Sequence, residues 1–311
     1  MSSHRVLHSL ARLSGTYGCS EGFILRGATS GSRNLTTASK QATSPAEKIA
    51  TEYQYENLLV EVKGAKRNVG FIQLHRPKKH NAISPALSKE LRQALDIFEK
   101  DDAIGAIVYT GGERVFTVGA DISVMEGFTF PGVFKTDFSL LWNKFHDCRK
   151  PIVAAVNGYC VGGGTETVMM CDIVYAGERA QFGQPEINIG TLPGAGGTQR
   201  LIRAIGKSKA MEMIFTGDRI TARQAEGWGL ISKVFPSDQV IPEAIKLAEL
   251  IASRPRMAAL MAKDAVKFAQ EVPLRQGLRQ EKYMSSAMAA TNDFKEGTSA
   301  FLEKREPKFT D

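Results

Sequence analysis

The sequence predicts an α/β fold, because short apolar strand segments alternate with helical periodicities through its middle. Strand signals cease after residue 238, and the remaining residues carry helical patterns only. At 311 residues and 43% hydrophobic content, the chain can bury one large core or two modest ones.

Taken in order, residues 58–62 and 69–74 read as paired strands, with Lys63-Gly64-Ala65-Lys66 as the turn between them. Arg76-Pro77 stops the second. Ser84-Pro85 then opens a helix, Ser84 as its cap and Pro85 at its first position. Leu87, Leu91, Leu95 and Phe98 recur along it every three or four residues. Residues 106–110 and 152–156 are uninterrupted apolar runs, as expected of buried strands. Gly162-Gly163-Gly164-Thr165 leads into a helix over 166–171, and strands are predicted again at 173–176 and 180–182. Ile241, Ile245, Ala248 and Ile251 mark one late helix; Met257, Leu260, Met261, Ala265 and Phe268 mark the next. Their apolar faces are extensive for so small a unit, which predicts packing on the core or on another subunit. This pattern leaves open whether the sheet is open, closed or coiled into a spiral.

Three regions result: a leader over 1–46, a core over 53–237 and a helical region over 238–311. The net charge of +7 is unevenly spread. The leader holds five basic residues and one acid, so the remainder carries 35 basic against 32 acidic residues, or +3. An acid-poor, Arg- and Ser-rich leader with Val6, Leu7, Leu10 and Leu13 at helical spacing reads as a mitochondrial transit peptide. Arg33-Asn34-Leu35-Thr36 is the expected processing region, and a matrix location is the corresponding expectation. So small a residual charge, with no interleaved aromatic and basic motif, argues against nucleic acid as a partner. No membrane span is predicted, since the longest apolar stretch (151–170) contains four glycines, Asn157 and Glu166. Of the four cysteines, Cys148, Cys160 and Cys171 lie beyond the leader and form no CxxC pair, which suggests reduced thiols. His75, His80 and His146 show no metal-ligand spacing, and no metal is expected.

Two glycine-rich segments carry the chemistry. Residues 157–166 (Asn-Gly-Tyr-Cys-Val-Gly-Gly-Gly-Thr-Glu) come directly after a buried strand and open a helix; residues 190–200 run from Gly190 to Arg200. Neither has the spacing of a dinucleotide loop or a P-loop. Glycines at a helix start expose unpaired amide donors, and the helix dipole favours negative charge there. Such a site binds a static anion or stabilises an oxygen that gains charge during reaction. Glu166 in the first turn and Glu186 in Gln184-Pro185-Glu186 are the candidate acid–base groups; two solvated surface carboxylates are the alternative.

Gly119-Ala120-Asp121-Ile122, the segment Asn157 to Glu166, and Gln184 to Arg200 together resemble the enoyl-CoA hydratase (crotonase) family. The likeness runs from about Tyr53 to Phe301-Leu302-Glu303-Lys304-Arg305. It implies a spiral of ββα turns with a C-terminal helical trimerisation region, assembled as a homotrimer or as a hexamer of two trimers. It also implies reversible syn addition of water to a trans-2-enoyl-CoA, in fatty-acid or branched-chain amino-acid breakdown. By resemblance, the backbone N–H groups of Ala120 and Gly163 form the oxyanion hole. Glu166 activates the water that attacks C3, and Glu186 delivers the proton to C2. No cofactor is implied, because coenzyme A enters as part of the substrate. CoA contacts map to Ala120, Asp121, Ile122, Ser123 and Arg114, and to Phe301 and Lys304 near the end of the chain.

Several positions depart from the family pattern. Ser123 stands where a lysine is usual, which predicts a lost CoA contact. Thr165 and Thr167 replace the usual Cys and Leu; the hydroxyl of Thr165 is expected to cap the helix rather than tune the water. Phe128, Phe130, Phe134 and Phe138 line an acyl pocket or merely pack a loop. Retention of both glutamates favours hydration. The alternatives are a double-bond isomerase on the same fold and a non-catalytic RNA-binding member.

Overall fold

The computed structural model describes residues 54–127, 129 and 140–310, with the backbone only for 140–143. The leader and Phe128, Phe130, Phe134 and Phe138 lie outside the described residues.

Strands β1 (Leu58–Lys63) and β2 (Val69–Leu74) form an antiparallel hairpin, as the sequence predicts. Helix α1 (Pro85–Lys100) comes next, its first turn closed by Ser84 Oγ accepting from the Leu87 N–H at 3.3 Å. Strands β3 (Ala106–Thr110) and β4 (Ile152–Val156) succeed it, with the short helices α2 (Ile122–Met125) and α3 (Leu140–Asp147) between them. The chain continues through β5 (Tyr159–Val161), α4 (Gly163–Val168), β6 (Ile173–Gly177), β7 (Gln181–Gly183) and a 3₁₀ helix over Pro185–Ile189. Helices α5 (Gly197–Ile205) and α6 (Lys207–Thr216), strand β8 (Arg219–Thr221), helix α7 (Ala222–Gly227) and strand β9 (Lys233–Phe235) complete the core. The last helices are α8 (Val240–Ala252), α9 (Arg256–Phe268), α10 (Leu274–Met288) and α11 (Asn292–Glu303).

The main sheet has the order β1-β2-β3-β4-β6-β9, parallel from β2 onward. A second, three-stranded sheet runs β5-β7-β8. From β4 onward a strand of the main sheet leads to a short strand in the other sheet and then to a helix: β4-β5-α4, then β6-β7 and the 3₁₀ helix. This is the ββα spiral that the resemblance implies.

Both faces of β3 and β4 are covered, which explains their unbroken apolar runs. Alternate residues face opposite ways. Ile72, Leu74, Ile107, Tyr109, Ile152 and Ala154 join the larger core, with Leu87, Leu91, Leu95 and Phe98 of α1. Phe71, Val108, Val153 and Ala155 face α8 through Val240, Ala244 and Ala248. The first late helix therefore packs on the core. Helix α9 is pinned by buried Lys263, whose Nζ reaches the Lys150 carbonyl and Asp172 Oδ2, both at 2.7 Å. By contrast α10 buries none of its residues and exposes Leu274, Leu278 and Tyr283. Among the described residues no helix is long and apolar enough to cross a membrane.

Helix α4 begins at Gly163, three residues before the predicted start, and its cap is Gly162 with no side-chain bond. Thr165 is not a cap. Its buried hydroxyl donates to the Cys160 carbonyl at 2.6 Å and accepts from the Gly183 N–H at 3.3 Å, tying the helix to β5 and β7. Thr167 donates back to the Gly163 carbonyl at 2.6 Å.

Candidate active site

A cleft of about 510 Å³ opens where the loop before α2, the start of α4 and the 3₁₀ helix converge. Glu166, Glu186, Ala120 and Gly163 all line it. Ile83, Ile122, Met125, Ile189 and Leu192 form its apolar walls. Ile189 and Leu192 are exposed, which leaves apolar surface at the cleft available to a ligand.

The loop before α2 is fixed from behind. Ile83 N–H donates to the Gly119 carbonyl (2.8 Å) and Asp121 N–H to the Ile83 carbonyl (2.9 Å). Both leave the intervening Ala120 N–H free, and it donates to no acceptor among the described residues. Asp121 is bound by Arg76 (3.2 Å) and by the Ser123 hydroxyl (2.7 Å). The Ser123 bond first, and then Arg76, hold its carboxyl below the usual range. Gly163, as the first residue of α4, likewise lacks an intrahelical acceptor for its N–H. Val161 N–H donates to the Thr117 carbonyl (3.2 Å), which brings the two segments together.

The two carboxylates sit in unlike surroundings. Glu166 is buried at 2% exposure, and its Oε1 accepts from the N–H groups of Ala195 and Gly197, each at 2.7 Å. Those amides belong to the second glycine-rich segment, at the N-terminus of α5. Burial raises the Glu166 pKa, while the amides of Gly197 and Ala195 and the charge of Arg200 pull against that rise. Glu186 is pushed up to about 7, by burial first and also by the charge of Glu166; its own backbone N–H opposes the shift. Buried Gln184 has its amide 3.0 and 3.1 Å from the two Glu186 oxygens, with the NH₂ donating in the orientation that satisfies both groups.

The remaining candidates are not all gathered here. Ile122 lines the cleft, and Asp121 and Ser123 flank it in sequence. Arg114 is exposed on another cleft of about 730 Å³, with Glu61, His75 and His80. Phe301 is exposed near the end of α11, and Lys304 is its left-handed cap at φ +55°; neither lines the cleft that holds the glutamates. A larger groove of about 860 Å³ between α5 and α9 contains neither glutamate, so size alone does not locate the chemistry. Among the described residues no cluster of His, Cys, Asp and Glu is arranged to hold a metal. Sequence reasoning missed Ala195, Gly197 and Arg200 as partners of Glu166; the glycine pattern of 190–200 is the signal that points to them.

A family model described as enoyl-CoA hydratase/isomerase matches residues 64–311. The chain is 51% identical over 263 residues to a mitochondrial enoyl-CoA hydratase of Pongo abelii, covering 85% of this chain and 91% of that protein. It is 47% identical to a probable mitochondrial enoyl-CoA hydratase of Dictyostelium discoideum, covering 85% and 96%. A solved enoyl-CoA hydratase subunit from Geobacillus kaustophilus HTA426 superposes with a TM-score of 0.80 at 36% identity, covering 83% of this chain and 99% of that one. On these matches the chain belongs to the enoyl-CoA hydratase/isomerase family.

Proposed function

We propose that the protein is an enoyl-CoA hydratase, a hydro-lyase that adds water to a trans-2-enoyl-CoA and releases a 3-hydroxyacyl-CoA. The observation that carries this reading is one cleft holding two carboxylates with unlike partners and two unpaired backbone N–H groups. The thioester carbonyl oxygen accepts from Ala120 and Gly163, which makes C3 electrophilic. Glu166 takes a proton from water as its oxygen bonds to C3. The C2=C3 electron pair moves toward the carbonyl, and Glu186 gives its proton to C2. General acid–base help of this kind contributes roughly 10² to 10⁴-fold, and an oxyanion donor about 10² to 10³-fold. A double-bond isomerase needs only one base to shuttle a proton, so the second carboxylate supports hydration.

Coenzyme A enters as part of the substrate, and the steps above call on no cofactor or metal. Arg114, Phe301 and Lys304 contact CoA only if the assembly or the ligand brings them to it. The unburied face of α10 supports a homotrimer or hexamer in which a second copy covers the C-terminal helices. The leader is read as a presequence directing the enzyme to the mitochondrial matrix, in keeping with the mitochondrial relatives.

The test is loss of enoyl-thioester absorbance from crotonyl-CoA with the purified protein, beside Glu166→Gln and Glu186→Gln. Each variant is expected to lose at least about 10²-fold in kcat while keeping its fold. Near-normal turnover in either would refute the two-carboxylate assignment.

A further inference from the structure

Glu166 works as a base only if one oxygen stays aimed at water and the group stays ionised at working pH. Its Oε1 is taken by two amides, and Oε2 accepts from no group among the described residues. The aim of Glu166 therefore depends on the peptide of Ala195, and that residue is itself held from the far side. Arg200 Nη1 donates to the Ala195 carbonyl at 3.1 Å. The guanidinium folds back against the turn that opens α5. A Cβ on Gly196 (φ +102°) would lie 1.8 Å from Nη1 and 3.0 Å from Cζ, so only glycine admits this packing. Arg200 thus binds the carbonyl of Ala195 while Glu166 binds its N–H.

We infer that Arg200 is a positioning residue: through the Ala195 backbone it keeps the Glu166 carboxylate aligned beside a guanidinium charge. This rests on the reading of Glu166 as the base. The mutual attraction of the two charges supports it from both sides, opposing the effect of burial on each. Other charges also face this pair. Glu186 shares the cleft with Glu166, Glu271 beyond α9 attracts Arg200, and Arg203 on α5 repels it. His146 at the end of α3 and Lys267 on α9 share the large groove with Arg200. Arg200 therefore spans two places, with its side chain lining that groove and its hydrogen bond at the back of the catalytic cleft.

The experiment compares Arg200→Met, Arg200→Lys and Arg203→Met in the full chain, reading kcat, KM and the pH profile of kcat/KM. Arg203 is an exposed neighbour on α5 that bonds the Gln199 carbonyl, and it controls for loss of a nearby charge. Arg200→Met is expected to lower kcat about 10 to 100-fold with KM within about twofold. Its acid limb should move to higher pH, because loss of the cation raises the pKa of the base. Arg200→Lys should keep the limb near its wild-type place yet recover only part of kcat, since an ammonium supplies charge without the planar fork. Arg203→Met should leave the limb where it was. In a Glu166→Gln background, Arg200→Met should change the residual rate by less than about twofold. An unmoved acid limb in Arg200→Met, or the same fold-loss with and without Glu166, would overturn the inference. If Arg200→Met does not fold, wild-type kcat in Arg200→Lys would overturn it instead. Wild-type rates in Glu166→Gln alone would refute the base assignment, a different failure.

Discussion

Gly119→Ala tests the proposed oxyanion hole without touching either carboxylate. Gly119 has φ +89°, and a Cβ there would lie 2.9 Å from the Val161 carbonyl oxygen and 3.3 Å from the Gly163 nitrogen. The first distance is shorter than real Cβ contacts, and both neighbours are backbone, so the two segments must part. They are the segments that present the free N–H groups of Ala120 and Gly163. Left-handed backbone in a non-glycine residue costs about 1–2 kcal/mol. With the clash added, a stability loss of about 2–3 kcal/mol is expected. A displacement of even a few tenths of an ångström misaims donors whose value depends on their distance to the oxyanion, so kcat should fall about 10²-fold. Gly229→Ala is the control: φ is +84°, but the nearest atom is the Ala204 carbonyl at an ordinary 3.7 Å. It carries the same backbone strain without parting the two segments. Thermal unfolding and crotonyl-CoA turnover are measured on both. If Gly119→Ala and Gly229→Ala show kcat values within about threefold of each other, the oxyanion hole is not where these N–H groups meet.

Two further outcomes are expected at the same site. On the proposed mechanism hydration and its reverse both need the glutamate pair to hold one proton, so kcat/KM in either direction should fall as pH rises through the Glu186 value of about 7. A profile flat from about pH 6 to 9 would contradict this. Ser123 is exposed beside Ile122, which lines the cleft, and its hydroxyl is engaged with Asp121. Ser123→Lys should therefore lower KM for acyl-CoA about 2 to 5-fold at low salt with kcat kept, the worth of one exposed ion pair; an unchanged KM would refute the lost-contact reading.

Strands β3 and β4 and helix α1 are legible because burial on both faces writes a continuous apolar run and a cap writes Ser-Pro. The three-residue strands β5, β8 and β9 are too short to show a period, and their pairing is dictated by the spiral rather than by their own residues. Helices α5 to α7 escape sequence reading for a related reason. Each is only six to ten residues long and buries two positions, Gly197 and Leu201 in α5, for example, so the apolar repeat is too short to read. Glu166 and Glu186 can be named from sequence, but not their difference. What holds Glu166 is a pair of backbone amides, and an N–H group has no letter of its own. Thr165 misleads for the opposite reason: a hydroxyl at a helix start suggests a cap, and only the adjacent strands show that it has better partners.

On the proposed mechanism, that difference between the two carboxylates gives the pair its direction. Both lie in the same cleft and both are pushed toward the neutral form by burial. Glu166 meets the N-terminus of α5, where two amides and a guanidinium compensate a negative charge. Glu186 has no cation among the causes of its shift, and the nearby negative charge of Glu166 works against its ionisation. The surroundings therefore favour the negative charge on Glu166 and the proton on Glu186. This is the state that water addition requires, one carboxylate free to act as base while the other keeps a proton to give. The glycines of 190–200 thus serve Glu166: they bring the amides of Ala195 and Gly197 to a buried carboxylate and offset part of what burial costs its charge.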